Sequence, residues 1–164
     1  MNETLKTHIH FTIQKNAIHQ QVNAFRKKVF PQSEIYLVGG LIRDILAERE
    51  TFDYDYIVYN TCALTFARKI ADFFDGYYVP LDEKNKIARV VMKDKKTSLD
   101  FSQCVGSTIL EDLSRRDITI NSIAYKLDLA QENDIIDPYN GYKDLCERVI
   151  NFISEKNVLE DPLR

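Results

Sequence analysis

The stretch Phe52-Asp53-Tyr54-Asp55-Tyr56-Ile57-Val58 sets two acids two residues apart in a run that is otherwise aromatic or β-branched. Such a run predicts a buried strand. Strand side chains alternate between faces, so Asp53 and Asp55 share one face. At a separation of about 5 Å and an effective dielectric near 20, the two carboxylates repel by roughly 3 kcal/mol. A central strand has no structural use for that pair, and a divalent cation is the simplest group that would offset it. The alternative is that the acids stand at the exposed end of the strand and cap a turn.

The rest of the chain must supply what the acids act on. Its 164 residues allow one domain, or one domain and the start of another, and 45% hydrophobic content supplies a core. A net charge of −3 does not mark a nucleic-acid binder as a whole, although local basic clusters remain compatible with it. Cys62, Cys104 and Cys146 form no CxxC pair, and an odd count without a signal pattern predicts reduced thiols in a soluble, cytoplasmic protein. No apolar run approaches a membrane span, so no membrane partner is expected.

Residues 1–12 read as a mobile lead-in or a short strand, and 13–30 as a helix ended by Pro31; together 1–30 form an N-terminal helical lead-in. His8 and His10 could share a strand face and bind zinc, but no third ligand lies nearby. The three histidines, His19 included, are therefore expected to face solvent. Ile35 to Val38 is a short buried strand that stops at Gly39-Gly40, and Leu41 to Glu48 follows as helix. A glycine turn into a helix start offers backbone N–H groups to a phosphate, or is only a tight turn. Arg43, one turn in, either reaches an anion there or pairs on the surface. Residues 61–75 form an amphipathic helix capped by Thr61 and closed by Gly76. Tyr77 to Leu81 is a strand. Lys86 to Lys93 and Thr97 to Phe101 form a hairpin, the second strand of which carries Asp100 between Leu99 and Phe101. Residues 107–127 read as one helix capped by Ser107 or Thr108, with Asp117 and Asn121 on one face. Ile135-Ile136 is a short strand into the turn Asp137-Pro138-Tyr139-Asn140-Gly141, and Tyr142 to Ile153 reads as a helix or helix pair. The elements alternate, which predicts an α/β or α+β fold with a mixed sheet flanked by helices.

Five segments in order resemble a known family. Gly39-Gly40-Leu41-Ile42-Arg43-Asp44 resembles the GGxxRD motif of class II tRNA nucleotidyltransferases and bacterial poly(A) polymerases. Asp53-Tyr54-Asp55-Tyr56-Ile57-Val58 is similar to that family's DxDxxV metal motif. The run Arg115 to Ala124 resembles RRDxTxNAxA, with Ser122 where alanine is usual; Asp137 to Gly141 resembles DPxxG, and Glu160 to Arg164 resembles EDxxR. The resemblance implies a DNA polymerase β-like nucleotidyltransferase head over 31–140, with the start of a helical neck at 141–164. It implies an enzyme that adds CMP and AMP, from CTP and ATP, to the 3′ end of tRNA. Asp53 and Asp55 would hold Mg²⁺, and Asp100 would be a third catalytic carboxylate, aiding the metal or the attacking hydroxyl. Gly40, Arg43, Arg116 and Asn121 would bind the nucleotide, while Asp161 and Arg164 would choose the base by accepting from its exocyclic amine and donating to its ring nitrogen.

Family members continue after EDxxR with further arginines and helical neck, body and tail regions that grip tRNA. This sequence is expected to be a truncated head, the alternative being an unusually short protein that relies on a partner, and to bind Mg²⁺–nucleotide weakly and turn over tRNA poorly by itself. The same motifs serve CC-adding and A-adding enzymes and poly(A) polymerases. A non-catalytic nucleotide-binding module is the rival of another class, and intact Asp53, Asp55, Arg43 and Arg116 weigh against it. Transfer to a small molecule is disfavoured by the terminal EDPLR. Oligomeric state is left open.

Overall fold

The computed structural model describes residues 3–128 and 135–160. Two helices, α1 (Glu3–Lys15) and α2 (Ala17–Val29), lead into β1 (Glu34–Val38), α3 (Gly40–Leu46) and β2 (Asp53–Tyr59). Helix α4 (Ala63–Phe74) follows, then the meander β3 (Tyr77–Asp82), β4 (Ile87–Val91) and β5 (Ser98–Gln103). A short α5 (Ile109–Ser114), a 3-10 turn at Thr119–Asn121, β6 (Ala124–Lys126), β7 (Ile135–Ile136), α6 (Gly141–Glu147) and α7 (Glu155–Glu160) complete the order. The strands form one mixed sheet in the order β3-β4-β5-β2-β1-β6-β7, with β2 and β5 parallel and the other pairs antiparallel.

The sheet has two unlike faces. Tyr54, Tyr56 and Val58 of β2, with Val90, Leu99 and Phe101 of its neighbours, join Ile9, Ile13, Val22, Phe25 and the α4 stripe in one closed core. Tyr56 stacks on Phe101 at 4.9 Å between centroids, and Phe66 of α4 lies 5.3 Å from the same ring. On the other face a smaller cluster of Tyr36, Val38, Ile57, Cys104, Leu113 and Ala124 covers only part of the sheet. The remainder of that face, toward the start of β2, stays open.

Several expectations fail for identifiable reasons. Residues 3–15 are a helix, neither a mobile lead-in nor a strand, because Ile9 and Ile13 are anchored in the core. The helix read over 13–30 is broken at Asn16, whose side chain caps α2 by accepting from the N–H groups of Ile18 and His19. His8 is exposed, but His10 and His19 are not, since partners distant in sequence receive them. His10 Nδ1 lies 2.6 Å from the Tyr125 hydroxyl, and His19 Nδ1 lies 2.7 Å from that of Tyr56. Burial pushes the His19 pKa down to about 3, so the ring is neutral. Cys62, not Thr61, stands at the N-cap of α4, and the left-handed Asp75 precedes Gly76 at its end. Residues 107–127 are not one helix: α5 stops at Ser114, and a 3-10 turn and a strand replace the rest. Asp117 caps the N–H of Ile118, Ile118 bridges to Phe152, and the Thr119 hydroxyl donates to buried Asp144 at 2.5 Å. These contacts from later in the chain override the local helical pattern. Helix α6 covers only six of the residues read as helix from Tyr142 to Ile153.

Candidate active site

The acidic strand takes the predicted geometry. Asp53 and Asp55 are exposed on one side of β2 while Tyr54 and Tyr56 are buried on the other. The parallel pairing of β2 with β5 sets Asp55 beside Asp100, in the middle of β5. Three acids from two strands therefore share the open face. Asp53 is held by the hydroxyl of Ser98. Both oxygens of Asp100 accept from Arg89 on β4, at 2.7 Å each. Asp55 lies at the floor of the cleft; crowding by protein atoms, and then the charge of Asp100, push its carboxyl pKa up, partly opposed by Arg116. The open side of Asp55 is thus exposed, yet its surroundings disfavour its charge.

The glycine turn closes one wall. Gly39 has φ +70, a conformation that L side chains rarely adopt, and a Cβ there would collide with the Asp55 carboxylate. A side chain at Gly40 would meet the Arg43 guanidinium. Helix α3 is anchored by Leu41, Ile42 and Ile45 in the core, which leaves Arg43 half-open toward the cleft. Its Nε and Nη2 donate to Asp44 at 3.0 and 3.2 Å, and its Nη1 donates to Asn121 Oδ1 at 3.2 Å. Arg116 donates to the Asn121 carbonyl at 3.2 Å and lies 3.7 Å from Asp112. Asn121 thereby ties the two arginines together. Its own turn is fixed from behind by the Thr119–Asp144 bond and by Gly141, where a side chain would strike the Thr119 backbone.

A cleft of about 710 Å³ gathers Gly40, Arg43, Asp53, Asp55, Asp100, Arg116 and Asn121. Asp161 and Arg164 lie outside the described residues. Two contributors escaped the sequence reading. Arg89 is a single charge inside the apolar strand Ile87–Val91, opposite a single acid in the next strand, a pairing that the hairpin register alone could have exposed. Arg115 also lines the cleft, and only its place in the RRD run marked it.

The donor set suits a magnesium-type ion: hard carboxylate oxygens, open to solvent, paired on one face. Among the described residues no group of three or more His, Cys, Asp or Glu is arranged to hold a metal unaided. That fits an ion held by one or two carboxylates and completed by substrate phosphates and water.

The sequence profile of the poly A polymerase head domain matches residues 35–151, most of the chain and all of the cleft. The chain belongs to that family. Among curated head-domain relatives, a CC-adding tRNA nucleotidyltransferase of Geobacter sulfurreducens is 40% identical over 129 residues, covering 79% of this chain and 29% of the relative. Among solved structures, a Thermotoga maritima CCA-adding enzyme complexed with tRNA superposes with a TM-score of 0.77 at 33% identity, over 88% of this chain and 34% of the other. A CCA-adding enzyme with CTP gives 0.76 at 34% identity, over the same shares. The head domain described here therefore spans about a third of the length of these proteins. No helix among the described residues is long and apolar enough to cross a membrane.

Proposed function

We propose that this chain is the catalytic head of a tRNA nucleotidyltransferase that transfers CMP and AMP, from CTP and ATP, to the tRNA 3′ end. The observation that carries the reading is the confrontation, within one cleft, of Asp53 and Asp55 with Arg43, Arg116 and Asn121. Acids on one wall and guanidiniums on the other match the two ends of a cation–triphosphate complex. Arg43 and Arg116, linked through Asn121, grip the triphosphate and hold the α-phosphorus over the acidic strand. The backbone at Gly40 lets the phosphates come close. Asp53 and Asp55 would hold Mg²⁺, which when bound would lower the pKa of the attacking hydroxyl and neutralise the leaving pyrophosphate. The tRNA 3′-oxygen forms the new bond to the α-phosphorus as the bond to pyrophosphate breaks. The protein's share is then alignment and charge placement. Base choice is assigned to Asp161 and Arg164 by resemblance to EDxxR.

CC addition alone is the second reading, favoured by the 40% identity to a CC-adding relative. The full-length protein, given tRNA ending before CCA, after the first C, or after CC, with each NTP singly and in pairs, separates the two. Ordered use of CTP and ATP supports the first reading. Arrest after two C residues supports the second. Failure to incorporate any nucleotide on any of the three substrates sinks both.

A further inference from the structure

One guanidinium occupies both oxygens of the third acid. Arg89 and Asp100 are register partners on β4 and β5, and Asp100 is the register partner of Asp55 across β5 and β2. The order across the open face is therefore guanidinium, acid, acid. A bidentate fork fixes both the position and the plane of a carboxylate. The fork is only partly shielded from solvent, with the Arg89 side chain 41% exposed and that of Asp100 23%. Arg89 does not serve the triphosphate wall, where Arg43 and Arg116 are tied to Asn121. Its place is beside the acids.

We propose that Arg89 is a positioning residue that holds Asp100 away from the cation and keeps the net charge of the acidic site at two negatives instead of three. The inference rests on the metal-dependent reading above. A site with three free carboxylates would attract a divalent ion without any nucleotide. With Asp100 held in the fork, two acids remain, and the phosphates of CTP or ATP must complete the coordination. Arg89 thus couples ion loading to nucleotide arrival. It also leaves Asp100 aligned next to Asp55, where the tRNA hydroxyl must enter.

The test is a set of Mn²⁺ binding measurements by calorimetry, without nucleotide, on the full-length protein and three variants. Arg89→Met removes one positive charge and frees Asp100, so Mn²⁺ binds about tenfold tighter. Asp100→Asn leaves Arg89 unopposed beside the pair, so Mn²⁺ binds about tenfold weaker. The double variant restores the charge balance and returns close to the parent. In single-turnover assays Arg89→Met lowers the transfer rate, because Asp100 has lost its fork, while the KM for CTP moves less. That affinity order supports the proposal. Equal affinities in all four proteins, each with a normal thermal melt, reduce the pair to a surface ion bridge and overturn it. If Arg89→Met does not fold, the comparison of Asp100→Asn with the double variant decides: tighter binding in the double supports the proposal, and equal binding overturns it. A parent protein that binds no Mn²⁺ even with CTP present overturns the metal-dependent reading as well.

Discussion

Strand β2 belongs to two environments at once. Tyr54, Tyr56 and Val58 face the closed core, where Tyr56 is fully buried and hydrogen-bonded to neutral His19. Asp53 and Asp55, one residue away in each direction, face the open cleft and one another's charge. The closed face is satisfied by protein groups alone; the open face is not. Burial of the large side chains on one side holds the strand in place while like charges on the other side push against it. Stability and function are thus separated by the pleat of a single strand, not by regions of sequence.

That separation makes substitutions at adjacent residues diverge. Asp55→Asn should lower nucleotide transfer about a thousandfold or more, with a melting temperature equal to or above that of the parent, because burial and Asp100 already disfavour the charge it removes. A lower melting temperature would mean that the acids help hold the strand, and the contrast between faces would break. Tyr56→Ala should do the reverse. It empties a fully buried site between His19 and Phe101, at a cost of about 3–5 kcal/mol by denaturant titration.

Acid should act on the closed face through His19. Its folded pKa of about 3 lies below the ordinary histidine value of 6.5, so the unfolded chain binds the proton that the folded chain refuses. The stability this neutral ring contributes is complete above pH 6.5 and is lost at about 1.4 kcal/mol per unit as pH falls from there toward 3. Denaturant midpoints between pH 7 and 5 measure it, and His19→Gln should flatten that dependence. An unchanged slope would overturn the assignment to His19, since Asp55, with its raised pKa, gains stability as pH falls. The smallest effect is expected at Asn121→Ala. It removes the acceptor of an Arg43 hydrogen bond and should raise the KM for CTP about tenfold with little change in melting temperature.

The sequence made the open face more legible than the closed one. The alternation of Asp53 and Asp55 with aromatic neighbours is a local signal, and so are the glycine turn and the α4 stripe. Register did the rest: parallel pairing of β2 and β5 delivers Asp100 to Asp55, which no local pattern states. His10 and His19 were read as surface residues because no third metal ligand lay near them in sequence. Their partners, Tyr125 and Tyr56, lie 115 and 37 residues away. The 107–127 segment misled for a similar reason. Ile118, Ile120, Ile123 and Ala124 tolerate a helical reading, but Asp144 and Phe152, supplied later, pin the chain into a turn and a strand. Arg89 was hidden because a single arginine in a strand is ordinary until its partner across the hairpin is known.

Gly39 carries one more consequence, in the dynamics of the site. No side chain stands between its backbone and the carboxylate of Asp55. The glycine turn therefore brings no side-chain rotamers of its own to this contact, and only those of Asp55 remain. Side chains that bridge such a gap must be frozen anew at every turnover, at a cost in rotamer entropy. Here one side of that spacing is inherited from the backbone, so on the turn's side there is nothing to freeze.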